Sequence, residues 1–272
     1  MRMGMRAGVL VLAGVAACAA AHAQMPFYTD DTNVTDVGTL HMEYFNEYDA
    51  LQSSQYPDLR QNTFNGKINF GLPHGLEFDV DAPYLTILRA KGSARETGLG
   101  DTDMGLKWAI RKAKGVRRGP ALATSFYTEA PTGDESKELG SGLADYWLNW
   151  MMQEPLTEKT RVTVNLGYLF AGNTSTGVVG ISTRRGHVYT GGISLVRDFT
   201  AKLSLGAEVY GGHADTSGLG REQLQGLGGG SYALTQRLAV TFALLGGRYE
   251  ASPRLGGQVG FALDVPGLLK RR

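Results

Sequence analysis

The sequence predicts an all-β protein: a single antiparallel transmembrane β-barrel of the outer-membrane type, with about twelve strands. Three observations predict it. Segments of about ten residues with alternating polarity recur along the chain, as strands with one apolar face require. The connections between them alternate between short and long. Aromatic residues gather toward both ends of the alternating segments, as they do at the two interfaces of a bilayer. The chain has 272 residues, formal net charge +1, 38 glycines and 9 prolines. That length fits one large β domain, and the near-neutral charge excludes an electrostatic case for a nucleic acid partner.

The first element is a leader. Arg2 and Arg6 precede the apolar run Ala7 to Ala21, and Ala21-His22-Ala23 precedes Gln24. A basic start, a short apolar stretch and small residues two apart describe a secretory signal over 1–23, cleaved after Ala23. The single cysteine, Cys18, lies within it, and Val15-Ala16-Ala17-Cys18 offers lipidation at Cys18 as the alternative processing. Cleavage after Ala23 leaves 25 basic against 26 acidic residues and no cysteine, hence no disulfide in an oxidising compartment. Residues 24–37 form a periplasmic segment and a candidate plug, because Asp30, Asp31 and Asp36 would meet bases in the lumen. The barrel occupies 38–265, and 266–272 is a periplasmic tail.

Twelve strands are expected at 39–48, 62–72, 76–85, 101–111, 120–130, 143–153, 160–171, 187–198, 203–212, 223–234, 238–248 and 255–265. No later apolar run is long enough for a membrane helix. Connections at 73–75, 112–119, 154–159, 199–202 and 235–237 are short, whereas 49–61, 86–100, 131–142, 172–186 and 213–222 are long and polar. Short turns at one end and long loops at the other place both termini on the periplasmic side. The apolar face collects Leu76, Phe78 and Val80, then Met104, Leu106 and Trp108, then Leu148, Trp150 and Met152, and so on round the wall. Two stretches are irregular. Val188 and Thr190 compete with Tyr189, Ile193 and Leu195 for the outer face of 187–198, and 223–234 is unusually rich in glycine, which weakens a strand. Pro83 also suggests a bulge or a strand end.

The opposite face lines the lumen. Candidate pore-lining and selectivity residues are Lys67, Glu77, Asp79, Asp81, Asp103, Lys107, Arg111, Asp145, Arg161, Arg197 and Glu208. A turn at Pro73-His74-Gly75 pairs Leu72 with Leu76, and therefore Asn69 with Asp79 and Lys67 with Asp81. The three acids of Gly75-Leu76-Glu77-Phe78-Asp79-Val80-Asp81 thus face a basic ladder of Lys67, Lys107 and Arg111 on adjoining strands. Such a ladder would either narrow the pore or line a solute path.

Other motifs carry no chemistry. His187 and His213, with Ser182 and Ser217, lack a motif that would assemble a nucleophile and its base, so no catalytic residue is assigned and the protein is not expected to be an enzyme. The glycines at 218–220 and 226–230 lack the strand-to-helix setting that cradles a phosphate. Asp101-Thr102-Asp103 lacks the spacing of a calcium loop. No metal and no cofactor are expected.

Pro26-Phe27-Tyr28-Thr29-Asp30-Asp31 followed by Gly38-Thr39-Leu40-His41-Met42-Glu43 resembles the opening of a family of proteobacterial outer-membrane transporters, the phenol-degradation MetA-pathway-type proteins. Gly98-Leu99-Gly100-Asp101-Thr102-Asp103-Met104-Gly105-Leu106-Lys107 is similar to that family's mid-chain motif. Glu129-Ala130-Pro131-Thr132-Gly133 and Asn165-Leu166-Gly167-Tyr168 agree in placement. The resemblance implies an outer-membrane barrel that passes small, often aromatic or hydrophobic, molecules. Its partners would be outer-membrane lipid and lipopolysaccharide, the solute, and the barrel-assembly machinery. The alternative is a structural or surface-binding barrel with a closed lumen.

Overall fold

The computed structural model describes residues 26–171, 186–214 and 222–268. The expected leader, Cys18, Ser182, Ser217 and the last four residues lie outside them. The strands are β1 (Leu40–Ala50), β2 (Asp58–Leu72), β3 (Leu76–Arg89), β4 (Glu96–Leu99), β5 (Thr102–Arg111), β6 (Ala121–Ala130) and β7 (Asp145–Thr157). They continue as β8 (Thr160–Ala171), β9 (Gly186–Asp198), β10 (Leu203–Ala214), β11 (Gln223–Ala233), β12 (Leu238–Arg248) and β13 (Leu255–Val265). Consecutive strands pair antiparallel, except that β4 and β5 both pair with β3, and β1 pairs with β13, so the sheet closes on itself.

Thirteen strands make twelve staves, because β4 and β5 are two parts of one. β3 pairs with β5 through Leu76–Asp81 and with β4 through Tyr84–Ile87. The partner breaks at Gly100-Asp101, beside Pro83, whose carbonyl accepts from the Gly100 N–H at 2.9 Å. A proline cannot donate to a ladder, so the neighbouring strand is interrupted where Pro83 faces it. The interval 86–100, which the sequence reads as one long loop, therefore contains β4. The hairpin of β2 and β3 has the expected register: Leu72 faces Leu76, Asn69 faces Asp79 and Lys67 faces Asp81.

Burial divides by parity. Phe78, Leu106, Trp108, Trp150, Leu166, Ile193, Val209, Leu244 and Val259 are exposed, though large and apolar. Their alternates Glu77, Asp79, Lys107, Asn165 and Gln258 are buried. An inverted arrangement of this kind, apolar outside and polar inside, is stable only where the outer solvent is hydrocarbon. Exposed rings mark both rims: Tyr48, Tyr84, Tyr146 and Tyr189 toward the long loops, Trp108, Trp150, Tyr232 and Phe261 toward the short turns. The barrel is an outer-membrane barrel.

At the long-loop end the connection between β6 and β7 turns inward. Leu139 is buried against Leu85 and Ile87, which point into the barrel. Asp101, at the break between β4 and β5, accepts from the Gly133 N–H at 2.9 Å and the Ser141 N–H at 2.6 Å. Arg89 adds ion pairs to Asp58 at 2.7 Å and to Glu138 at 2.5 Å.

Candidate functional site

The site is the lumen. Its charge lies along one register line: Glu43 faces Lys67, Lys67 faces Asp81, Asp81 faces Asp103, Asp103 faces Glu129 and Glu129 faces Asp145. Six adjoining staves, β1, β2, β3, β5, β6 and β7, thus place five carboxylates and one ammonium at one level. In the other direction Glu43 faces Ala262 and Ala262 faces Ala239, both fully buried. A step toward the short turns, Glu77 faces Lys107, and the Tyr127 hydroxyl donates to Asp79 at 2.5 Å. His41 bridges Asp264 at 2.6 Å and Glu43 at 3.2 Å.

Residues 26–37 cross this space. The Glu208 carboxylate accepts from the backbone N–H of Tyr28 at 2.9 Å and of Thr29 at 2.8 Å. The Tyr28 hydroxyl donates to both oxygens of Glu47, at 2.9 and 2.8 Å. Lys107 pairs with Asp30 at 2.8 Å and with Asp31 at 3.7 Å, and the Thr35 N–H donates to Glu77 at 2.5 Å. Glu208 is on β10, Glu47 on β1 and Lys107 on β5, so these anchors divide the twelve staves into arcs of four, three and five. A segment tied at three such points spans the lumen and does not lie along one wall.

Glycine makes the room. A Cβ on Gly192 would stand 2.6 Å from the Thr29 hydroxyl, and one on Gly206 would stand 2.8 Å from the Phe27 ring. Both distances are below any tolerable contact. Burial pushes the Asp30 carboxyl up from its ordinary value, while Lys107 and Lys67 pull it down. Burial, followed by the charges of Glu47 and Asp49, raises the Tyr28 hydroxyl, which keeps it a proton donor.

Of the residues expected in the lumen, Glu77, Asp79, Lys107, Asp145 and Glu208 are buried inside the barrel. Lys67, Asp81 and Asp103 stand on the charged register line. Arg161 is at the short-turn mouth, paired with Asp198 at 3.2 Å. Two expectations are corrected. Arg197 shares the outward parity of Ile193 and Leu195 on β9 and lies 5.7 Å from the centre of the Phe199 ring. Arg111 is exposed beyond a bulge after Ala109, where its guanidinium donates to the Pro120 carbonyl at 2.9 and 3.1 Å. It is a rim residue, because the extra residue at Ile110 takes it off the inward parity. Sequence reasoning missed Glu47 and Tyr28 as a pair and Asp101 as a loop anchor. His187 bonds the Tyr168 hydroxyl and His213 pairs with Glu222 at 3.0 Å. Among the described residues no group of His, Asp and Glu is arranged to hold a metal ion.

The fold is shared with solved outer-membrane proteins. The COG4313 outer membrane channel from Pseudomonas putida F1 superposes with TM-score 0.63 at 12% identity, covering 86% of this chain and 98% of that one. The NanC porin gives TM-score 0.55 at 8% identity, and the KdgM porin in complex with disordered oligogalacturonate 0.53 at 12%. Each covers 82% of this chain and 98% of its own. No curated protein matches the sequence. The family described as "Putative MetA-pathway of phenol degradation" matches residues 60–265, three quarters of the sequence, and the chain belongs to that family.

Proposed function

We propose that the protein is an outer-membrane channel that passes small molecules, hydrophobic or aromatic ones among them, passively through the barrel, and that it is not an enzyme. The observation that carries this reading is the lumen. Twelve staves enclose a wall of buried carboxylates, amides and one buried lysine, where a barrel filled by its own core would carry apolar side chains. The likeness to a channel and two porins supports the same reading at the level of the fold. The apolar belt would be bathed by lipid, with lipopolysaccharide at the long-loop rim, and the assembly machinery would insert the barrel. In this reading Lys67, Glu77, Asp79, Asp81, Asp103, Lys107 and Asp145 set selectivity, and residues 24–37 act as a plug.

The test is ionic conductance in planar bilayers of purified protein, with and without residues 24–37. A rise in conductance on deletion is expected. A barrel that stays sealed in both forms would sink the channel and leave the second reading, a closed barrel working through its loops. That reading is favoured by one observation, the three-point anchorage of residues 28–35 across the lumen.

A further inference from the structure

Tyr28 occupies a built pocket. Its hydroxyl donates to Glu47, which is 6% exposed, and Glu47 also accepts from the Gln258 amide at 2.9 Å. Its ring lies 6.0 Å from that of Tyr210, and Phe27 and Tyr28 together pack on Leu227, Ala243 and Leu245. The wall that forms the pocket comes from β1, β10, β11, β12 and β13, all of it barrel, so the pocket's chemistry does not depend on the segment that fills it. The other end of the same amide, Gln258 Oε1, is buried without a partner, an acceptor that Tyr28 leaves unused. A tyrosine side chain is itself a phenol. A carboxylate acceptor beside an aliphatic and aromatic wall is the chemistry that recognises a ring carrying a hydroxyl.

We propose that the pocket of Glu47, Gln258, Tyr210, Leu227, Ala243 and Leu245 is a subsite for hydroxyaromatic solutes, which bind there in exchange for Tyr28. The proposal rests on the channel reading and adds to it a ligand class and a coupling: the solute and the segment compete for one place, so solute binding loosens the segment. The hydroxyl sets the preference, since a site built around an acceptor discriminates against an analogue that cannot donate.

The experiment is a fluorine NMR titration of the full-length protein with 4-fluorophenol and with fluorobenzene, heat-modifiable gel mobility confirming the folded barrel. Tyr28→Ala should bind 4-fluorophenol at least about tenfold more tightly than wild type, and at least about tenfold more tightly than it binds fluorobenzene. Adding Glu47→Met should abolish both differences. Equal binding by wild type and Tyr28→Ala, or equal binding of the two probes, would overturn the subsite. Should Tyr28→Ala fail to fold, wild type alone decides the matter by conductance. Added 4-fluorophenol should open the wild-type channel at a concentration at least about tenfold below that needed with fluorobenzene, and no response, or an equal response to the two probes, would overturn the proposal. A failed channel reading looks different: no ionic conductance in any variant, whatever the titration shows.

Discussion

Two arcs of the same wall meet at Glu43 and differ in kind. From Glu43 through β2, β3, β5, β6 and β7 the register line carries Lys67, Asp81, Asp103, Glu129 and Asp145; from Glu43 the other way it carries Ala262 and Ala239. Small residues continue along β9 and β10, where Gly192 and Gly206 admit Thr29 and Phe27. One arc holds the segment by charge, through Lys107 and Glu77; the other holds it by space, with Glu208 as its one carboxylate clamp on the backbone. The lesson is that a lumen can recognise its own chain with two unlike surfaces, and each can be removed without touching the other.

The largest effect is expected from the charged arc. Lys107 is fully buried and pairs with Asp30 and Asp31 while facing Glu77. Lys107→Met takes away the cation those carboxylates pair with and leaves only Lys67 acting on Asp30, and stranding buried charge costs about 3–5 kcal/mol. The segment should leave the lumen, raising conductance, and the thermal midpoint should fall. An unchanged conductance would show that charge does not hold it. Next comes the neutral arc. Gly192→Leu drives a side chain into Thr29 and the Tyr210 ring, an overpacking of about 1–3 kcal/mol that leaves every charge in place. Conductance should rise again, by less, and if it does not then the space on this wall is incidental.

A third change tests the register line as a filter and not as an anchor. Asp81→Asn with Asp103→Asn and Glu129→Gln removes three neighbouring carboxylates that are none of the anchors described for residues 26–37. The cation-to-anion permeability ratio of the open channel should fall several-fold, equivalent to about 1 kcal/mol. A ratio that stays constant would assign selectivity elsewhere, to the Arg89 cluster or to the mouth at Arg161.

Much of this was legible because alternation is a strong signal wherever both faces are extreme. On β3 every inward residue from Glu77 to Asp81 is acidic and every outward one apolar, so the parity and the pairing of Lys67 with Asp81 follow from the letters alone. Two of the failures come from interruptions of the ladder. Bulges shift parity, so Arg111 follows Ile110 out of the lumen, and the stave broken at Gly100-Asp101 conceals β4 inside an apparent loop. The contacts of residues 26–37 have no periodicity to betray them. Asp30 and Asp31 advertised a partner among the lumen bases, but Glu47 and Glu208, two acids, recognise donors in Tyr28 and Thr29 that net charge cannot reveal.

Arg197 is the smallest test and the most direct check on the division of inside from outside. On β9, Val188, Thr190, Ser194 and Val196 are buried, and Tyr189, Ile193, Leu195 and Arg197 are exposed. A single arginine at the short-turn end of a lipid-facing row can lay its stem along apolar neighbours and keep its charge in the headgroup region. Arg197→Ala should therefore change stability by no more than about 0.5 kcal/mol and leave both conductance and ion selectivity as they were. Neutralising an inward cation of the same strand-end depth, Arg161→Ala, should by contrast raise cation preference, because it removes a positive charge at the mouth that Asp198 only partly balances. If Arg197→Ala shifts selectivity as Arg161→Ala does, β9 is turned by one residue from the register in which Thr163 faces Ser194, and the neutral arc would be lipid-facing there.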